Sequence, residues 1–103
     1  MHARVSTYQG PSNLTQEQVE EMDRYDRENI LPPVRQMDGF KGVIALLDRQ
    51  SGKALSVTLW ESEQAMRASE EDANRLRQES AEAARETVEN VERYEVTIFE
   101  TEP

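Results

Sequence analysis

Few side chains in this 103-residue sequence are equipped for chemistry. There is no cysteine, which excludes a thiolate nucleophile, a disulfide framework and a Cys-ligated zinc site. His2 is the only histidine, and no second ligand or carboxylate motif surrounds it. It reads as a solvated, mobile terminal residue, and a Ser-His-Asp arrangement has no base to build on. The acidic runs Glu17-Glu20-Glu21-Asp23 and Glu70-Glu71-Asp72 read as solvated helix faces. Neighbouring positions on a helix point about 100° apart, so three adjacent carboxylates do not converge on one ion, and no metal site is expected. Gly10, Gly39, Gly42 and Gly52 are scattered at predicted turns and strand edges. Without a Gly-rich phosphate loop, a Rossmann-type flavin or nicotinamide site is not expected.

The sharpest local feature is Leu59-Trp60-Glu61-Ser62-Glu63-Gln64-Ala65-Met66-Arg67, where a strand runs into a capped helix. Trp60 is the only tryptophan. An indole at a sheet–helix junction offers a flat apolar wall and one N–H donor to a ligand. The competing reading is a plug for the core or for a subunit seam. Two and four strand positions before it, the short side chains Thr58 and Ser56 share its face. A carboxylate inside such a cleft would be the base of an isomerase or cyclase, and Asp26 is the candidate.

These residues need elements to position them. Period-2 or β-branched stretches predict strands at Ala3–Gln9, Lys41–Leu47, Ala54–Glu61 and Tyr94–Glu100. The polar, Gly-containing connector Asp48–Lys53 suits a hairpin. Thr15-Gln16-Glu17-Gln18 fits a capping box, with Leu14 and Val19 at staple positions. The helix it opens carries Val19, Met22, Tyr25 or Asp26, and Ile30 on one stripe, and Pro32-Pro33 is expected to end it. Ser62 caps a second helical segment with a thin apolar stripe through Leu76 to Val88 and Val91, with a break expected near Ser80. The order β-α-β-β-α-β predicts one α+β domain over residues 1–103, a ferredoxin-like four-stranded antiparallel sheet with its helices on one face.

Composition bears on assembly. The net charge is -9, and Leu, Ile, Val and Phe together number 20. That is just under the roughly one fifth at which a strongly charged chain is suspected of disorder. The acidic balance argues against nucleic acid as a partner. No apolar run approaches a membrane span and no secretory leader is visible, so a cytoplasmic protein is expected. Helices on one side leave the other sheet face open, yet both faces carry apolar residues: on the third strand Leu55, Val57 and Leu59 on one side and Trp60 on the other, and on the second strand Val43, Ala45 and Leu47 opposite Ile44 and Leu46. A sheet with one wet face alternates more cleanly, so two sheets packed face to face in a homodimer are expected.

The Trp60-Glu61-Ser62-Glu63-Gln64-Ala65 junction, with Pro33 and Gly39-Phe40-Lys41-Gly42-Val43 before it, resembles the antibiotic biosynthesis monooxygenase family of dimeric α/β barrels. The resemblance runs from about Val5 to Phe99. It implies two ferredoxin-like subunits packed sheet to sheet, each with a ligand cleft between its own sheet and helices. It also implies oxidation of an aromatic or quinone-type small molecule by O2 without metal or flavin. In quinone-forming members the tryptophan is joined by an asparagine four residues earlier and a tyrosine six residues later. Trp60 matches the first, Ser56 stands at the asparagine position and Met66 at the tyrosine position. A distal arginine of that family corresponds to Arg77 or Arg85. The haem-degrading branch uses a histidine on the second helix, and none lies between Ser62 and Asn90. The expected site is therefore Trp60 and Ser56 as catalytic residues, with Tyr25, Tyr8, Met66 and Met22 lining the substrate pocket. The alternative is a non-catalytic small-ligand-binding or accessory dimer on the same scaffold.

Overall fold

The computed structural model describes all 103 residues, Met1–Pro103. Strand β1 is His2–Gln9. Helix α1, Gln16–Tyr25, continues through a π-helical turn, Asp26–Ile30, into the short α2, Leu31–Arg35. Strands β2, Phe40–Leu47, and β3, Lys53–Trp60, form the hairpin. Helices α3, Glu63–Ala68, and α4, Glu70–Ala84, lead to β4, Thr87–Glu95. The antiparallel sheet has the order β2-β3-β1-β4. This is the ferredoxin-like α+β fold, and no helix is long and apolar enough to cross a membrane.

The local signals operate as their chemistry requires. The Gln18 N–H donates to Thr15 Oγ1 at 3.1 Å, and the Thr15 N–H donates to Gln18 Oε1 at 2.8 Å, completing the capping box. The Ala65 N–H donates to Ser62 Oγ at 3.1 Å and starts α3. In the hairpin, Asp48 Oδ1 accepts from the Gln50 N–H at 3.1 Å, and Gly52 takes a φ of +79°. Gly39, at φ +80°, turns into β2 where a Cβ would come 2.5 Å from that of Ala65.

Four expectations are corrected. Pro32-Pro33 does not end the helical stretch. With no N–H to give, the prolines cost their segment two helical bonds. The chain keeps its course by widening beforehand, so that the Leu31 N–H reaches back five residues to the Asp26 carbonyl. The break in the second segment is at Ser69, not near Ser80, which lies within α4. The fourth strand is Thr87–Glu95 rather than Tyr94–Glu100. Val88 and Val91, spaced like helix neighbours, face Tyr8 and Ser6 of β1 because a bulge at Thr7/Tyr8 inserts one extra residue in β4. Beyond Glu95 the chain has passed the start of β1, and its last bond there runs from the Val96 N–H to the Met1 carbonyl. Finally, His2 is part of β1, opposite Trp60 and Glu95, with Nε2 3.5 Å from Glu63 Oε2, so it is no mobile terminus.

The register divides the sheet. Arg4, Ser6 and Tyr8 of β1 and Ser56, Thr58 and Trp60 of β3 point toward the helices, and Ser6, Trp60 and Tyr8 are buried there. The opposite face carries Val5, Leu55 and Val57 and the more open Ile44, Leu46 and Tyr94, exposed by 45%, 49% and 50%.

Candidate functional site

One end of the space between sheet and helices is filled. Trp60 and Met66 are each 1% exposed. The Trp60 N–H donates to Thr58 Oγ1 at 2.9 Å, Phe40 meets its ring edge-on at 5.7 Å, and the Arg4 guanidinium lies 5.4 Å above it. Arg4, 2% exposed, also donates to the Met66 carbonyl at 2.7 Å, Ser69 Oγ at 3.0 Å and Glu70 Oε1 at 2.9 Å. Arg93 of β4 grips the same carboxylate through both oxygens, at 2.8 and 2.7 Å. The two arginines, Arg93 first, hold the Glu70 carboxyl down at about 2. A recess of only about 70 Å³ remains beside Trp60.

The other end is open. A cleft of about 540 Å³ lies under the π turn, lined by Ile30, Val34, Val43, Thr58 and Arg77. A second lobe of about 320 Å³, reaching the β2–β3 hairpin, is lined by Val19, Met22, Leu47, Ala54 and Glu86. Tyr8, Ser56, Asp26 and Ser80 border both lobes. Clefts of this size are typical of small-molecule sites.

The polar groups at this border are few and oriented. The Tyr8 and Ser56 hydroxyls are 3.3 Å apart. Burial raises the Tyr8 phenol, keeping it a proton donor. The Ser80 hydroxyl donates to Asp26 Oδ1 at 2.8 Å, while burial raises the Asp26 carboxyl. Glu86 is pushed up to about 7, first by burial and then by the charge of Asp26. Arg77 is 8% exposed, forms no ion pair with a carboxylate, and spends one N–H on Asn74 Oδ1 at 3.3 Å while its Nε has no partner. A buried guanidinium stays charged, so it wants an anion.

The expected site residues are therefore distributed unevenly. Tyr8, Ser56 and Met22 line the cleft, and Asp26 joins them. Trp60 borders only the small recess. Tyr25 and Met66 border neither lobe. Asp26 takes the inward place on the stripe, and Tyr25 lies one residue, about 100°, around the helix. Met66 is part of the packed end, where its carbonyl receives Arg4. Of the two arginines matched by resemblance, Arg77 lines the cleft, whereas Arg85 is the left-handed residue, φ 58°, that ends α4. Ser80 and Glu86 were not expected. From the sequence Ser80 marks only the place of a helix break, and Glu86 is turned inward by a helix end that neither glycine nor asparagine marks.

No protein-family model matches the chain. It is 34% identical over 82 residues to the uncharacterized protein Rv2557 of Mycobacterium tuberculosis, a match covering 80% of this chain and 35% of that protein. The chain thus spans about a third of the length of the curated relatives it matches. Among solved structures, a candidate antibiotic biosynthesis monooxygenase of Deinococcus radiodurans superposes with a TM-score of 0.66 at 17% identity, covering 100% of this chain and 99% of that one. The monooxygenase ActVA-Orf6 of Streptomyces coelicolor, in complex with nanaomycin D, gives 0.66 at 14% identity over 99% and 91%. A dimeric ferredoxin-like protein from an uncultured marine organism gives 0.56 at 10% identity over 98% and 93%. The fold is that of the antibiotic biosynthesis monooxygenase structures.

Proposed function

We propose that this chain works as a cytoplasmic homodimer that oxidises an aromatic or quinone-type small molecule with O2, using its own side chains in place of a flavin or metal. The observation that carries this reading is the buried, unpaired Arg77 facing the cleft that Tyr8 and Ser56 border. Such a reaction needs the substrate as an anion, because only the electron-rich phenolate gives an electron readily to O2. The Tyr8 and Ser56 hydroxyls donate to the developing oxyanion, and Arg77 supplies the opposite charge at low local dielectric. Trp60 and Met66 support the floor rather than touch the ligand, and Met22 forms part of the apolar wall. Likeness in fold to a monooxygenase bound to nanaomycin D is consistent with this use of the cleft.

The uncovered face of Val5, Ile44, Leu46, Leu55, Val57 and Tyr94 supports the dimer, as does the dimeric ferredoxin-like neighbour. Ile98, 83% exposed, and Phe99, 55% exposed, are further uncovered apolar side chains.

Oxygen uptake with a panel of anthrones and hydroquinones tests the activity. Turnover that falls at least about tenfold in Ser56→Ala or Arg77→Met supports it. No uptake by the wild type removes it. In that case the accessory-binder reading stands, favoured by Trp60 spending its N–H on Thr58 and by Met66 lying within the core. Sedimentation at micromolar concentration checks the assembly: a dimer that Ile44→Glu splits into folded monomers is expected, and a folded wild-type monomer refutes it.

A further inference from the structure

Of the two half-buried carboxylates that line the cleft, Asp26 accepts from Ser80, whereas Glu86 is held by nothing in the protein. It takes no part in any ion pair of the chain. The left-handed turn at Arg85 swings it back over the end of β1, where its Cγ lies 2.9 Å from the place a Cβ on Gly10 would occupy. The charged and titratable groups around its lobe are Asp23 and Asp26 from the α1–π stretch, Arg49 from the β2–β3 hairpin and Tyr8 from β1. Asp26 and Arg77 stand across the shared border with the larger lobe under the π turn. A free carboxylate and an unpaired, nine-tenths buried arginine thus bracket the Tyr8–Ser56 hydroxyl pair.

On the reading of the cleft as an aromatic-oxidising site, we infer that Glu86 is its general base, taking a proton from an anthrone-type ligand to leave an oxyanion on the Tyr8 and Ser56 hydroxyls. The methylene C–H bond of the ligand breaks, its electron pair moves into the ring system to place the negative charge on the carbonyl oxygen, and the proton forms an O–H bond on the Glu86 carboxylate. No oxidant enters this step. The raised proton affinity suits the task. Against an acid of phenolic strength, about 10, an ordinary glutamate falls short by between five and six powers of ten, and one at about 7 by about three. Hydrogen bonds from Tyr8 and Ser56 and the charge of Arg77 lower the remaining gap by stabilising the anion. Asp26 acts through Glu86 as a positioning residue: its negative charge favours the protonated form of its neighbour.

The step is read without oxygen, by proton NMR of anthrone methylene exchange in D2O under argon. Wild-type protein is expected to accelerate exchange over buffer, with a rate rising through a pH near 7. Glu86→Gln is expected to slow exchange at least about fiftyfold and to lose that limb, with anthrone affinity within threefold of wild type. Asp26→Asn is expected to move the limb to lower pH. Wild-type exchange no faster than buffer, or Glu86→Gln within threefold of wild type, overturns the inference. If Glu86→Gln does not fold, Glu86→Asp decides: slowed exchange that keeps the limb supports the base, and an unchanged rate overturns it. Exchange without oxygen uptake in air refutes the monooxygenase reading and leaves the base standing. Uptake that Glu86→Gln does not alter refutes the base and leaves the monooxygenase.

Discussion

Where β1 begins, Arg4 is enclosed by Trp60, Met66, Ser69 and Glu70, and Arg93 closes the network from β4. Where β1 finishes, Tyr8, Ser56, Asp26, Ser80, Arg77 and Glu86 border open space, and none of the three charged groups has a charged partner. Both ends lie on the same sheet face beneath the same helix α4. They differ in pairing. A buried charge that is paired and hydrogen-bonded locks helix to sheet, whereas one left unpaired is tolerated only if the site does something with it. Glu70 at about 2 and Glu86 at about 7 state that difference in one residue type.

The contrast can be broken most severely at the packed end. Trp60→Ala is expected to cost about 4 kcal/mol by urea unfolding, since the indole is fully enclosed and its neighbours collapse only partly. Arg4→Met should cost about 3 kcal/mol, because Ser69, the Met66 carbonyl and Glu70 lose a shared donor. A loss below about 1 kcal/mol in either variant would mean that this end is not the anchor.

The two carboxyls sharpen it through pH. Glu70 is held below the unfolded value of 4.5, so its contribution is present above 4.5 and is lost as pH falls toward about 2. Glu86 is raised above 4.5, so its contribution is fully present below 4.5 and is lost as pH rises through about 7. Unfolding titrations over pH should therefore show Glu70→Gln flattening the acid limb and Glu86→Gln the limb between about 5 and 8. If Glu86→Gln leaves that second limb as steep as in wild type, Glu86 is not the strained carboxyl.

The finest comparison uses neighbours on one strand face. Thr58→Val strands the buried Trp60 N–H and should cost about 1 kcal/mol. Ser56→Ala leaves Tyr8 beside a cleft that water can enter, and should change stability by less than about 0.5 kcal/mol. Equal losses in the two would show that the cleft is as dry as the core.

Much of the scaffold follows from local chemistry that the sequence carries on its surface. The capping box at Thr15, the Ser62 cap, the Asp48–Gly52 turn and the β-branched strands act within a few residues, and the order β-α-β-β-α-β follows from them. Ser56 and Tyr8 belong to the expected site through the family resemblance and Asp26 through its place on the helix stripe, and all three line the cleft. The rest was decided at long range. Val88 and Val91 are spaced for a helix, and only pairing with β1 through a bulge makes them a strand. Glu86 looks like any surface glutamate until the turn at Arg85 drives it back against Gly10. Trp60 and Arg77 differ in the opposite sense: one aromatic that reads as a ligand wall is sealed by Thr58 and Arg4, and one arginine that the resemblance matches without deciding between it and Arg85 is buried without a counter-charge. Residue type and spacing set what each segment prefers. Which charges find partners depends on elements brought together from distant parts of the chain, and only the packed structure decides that.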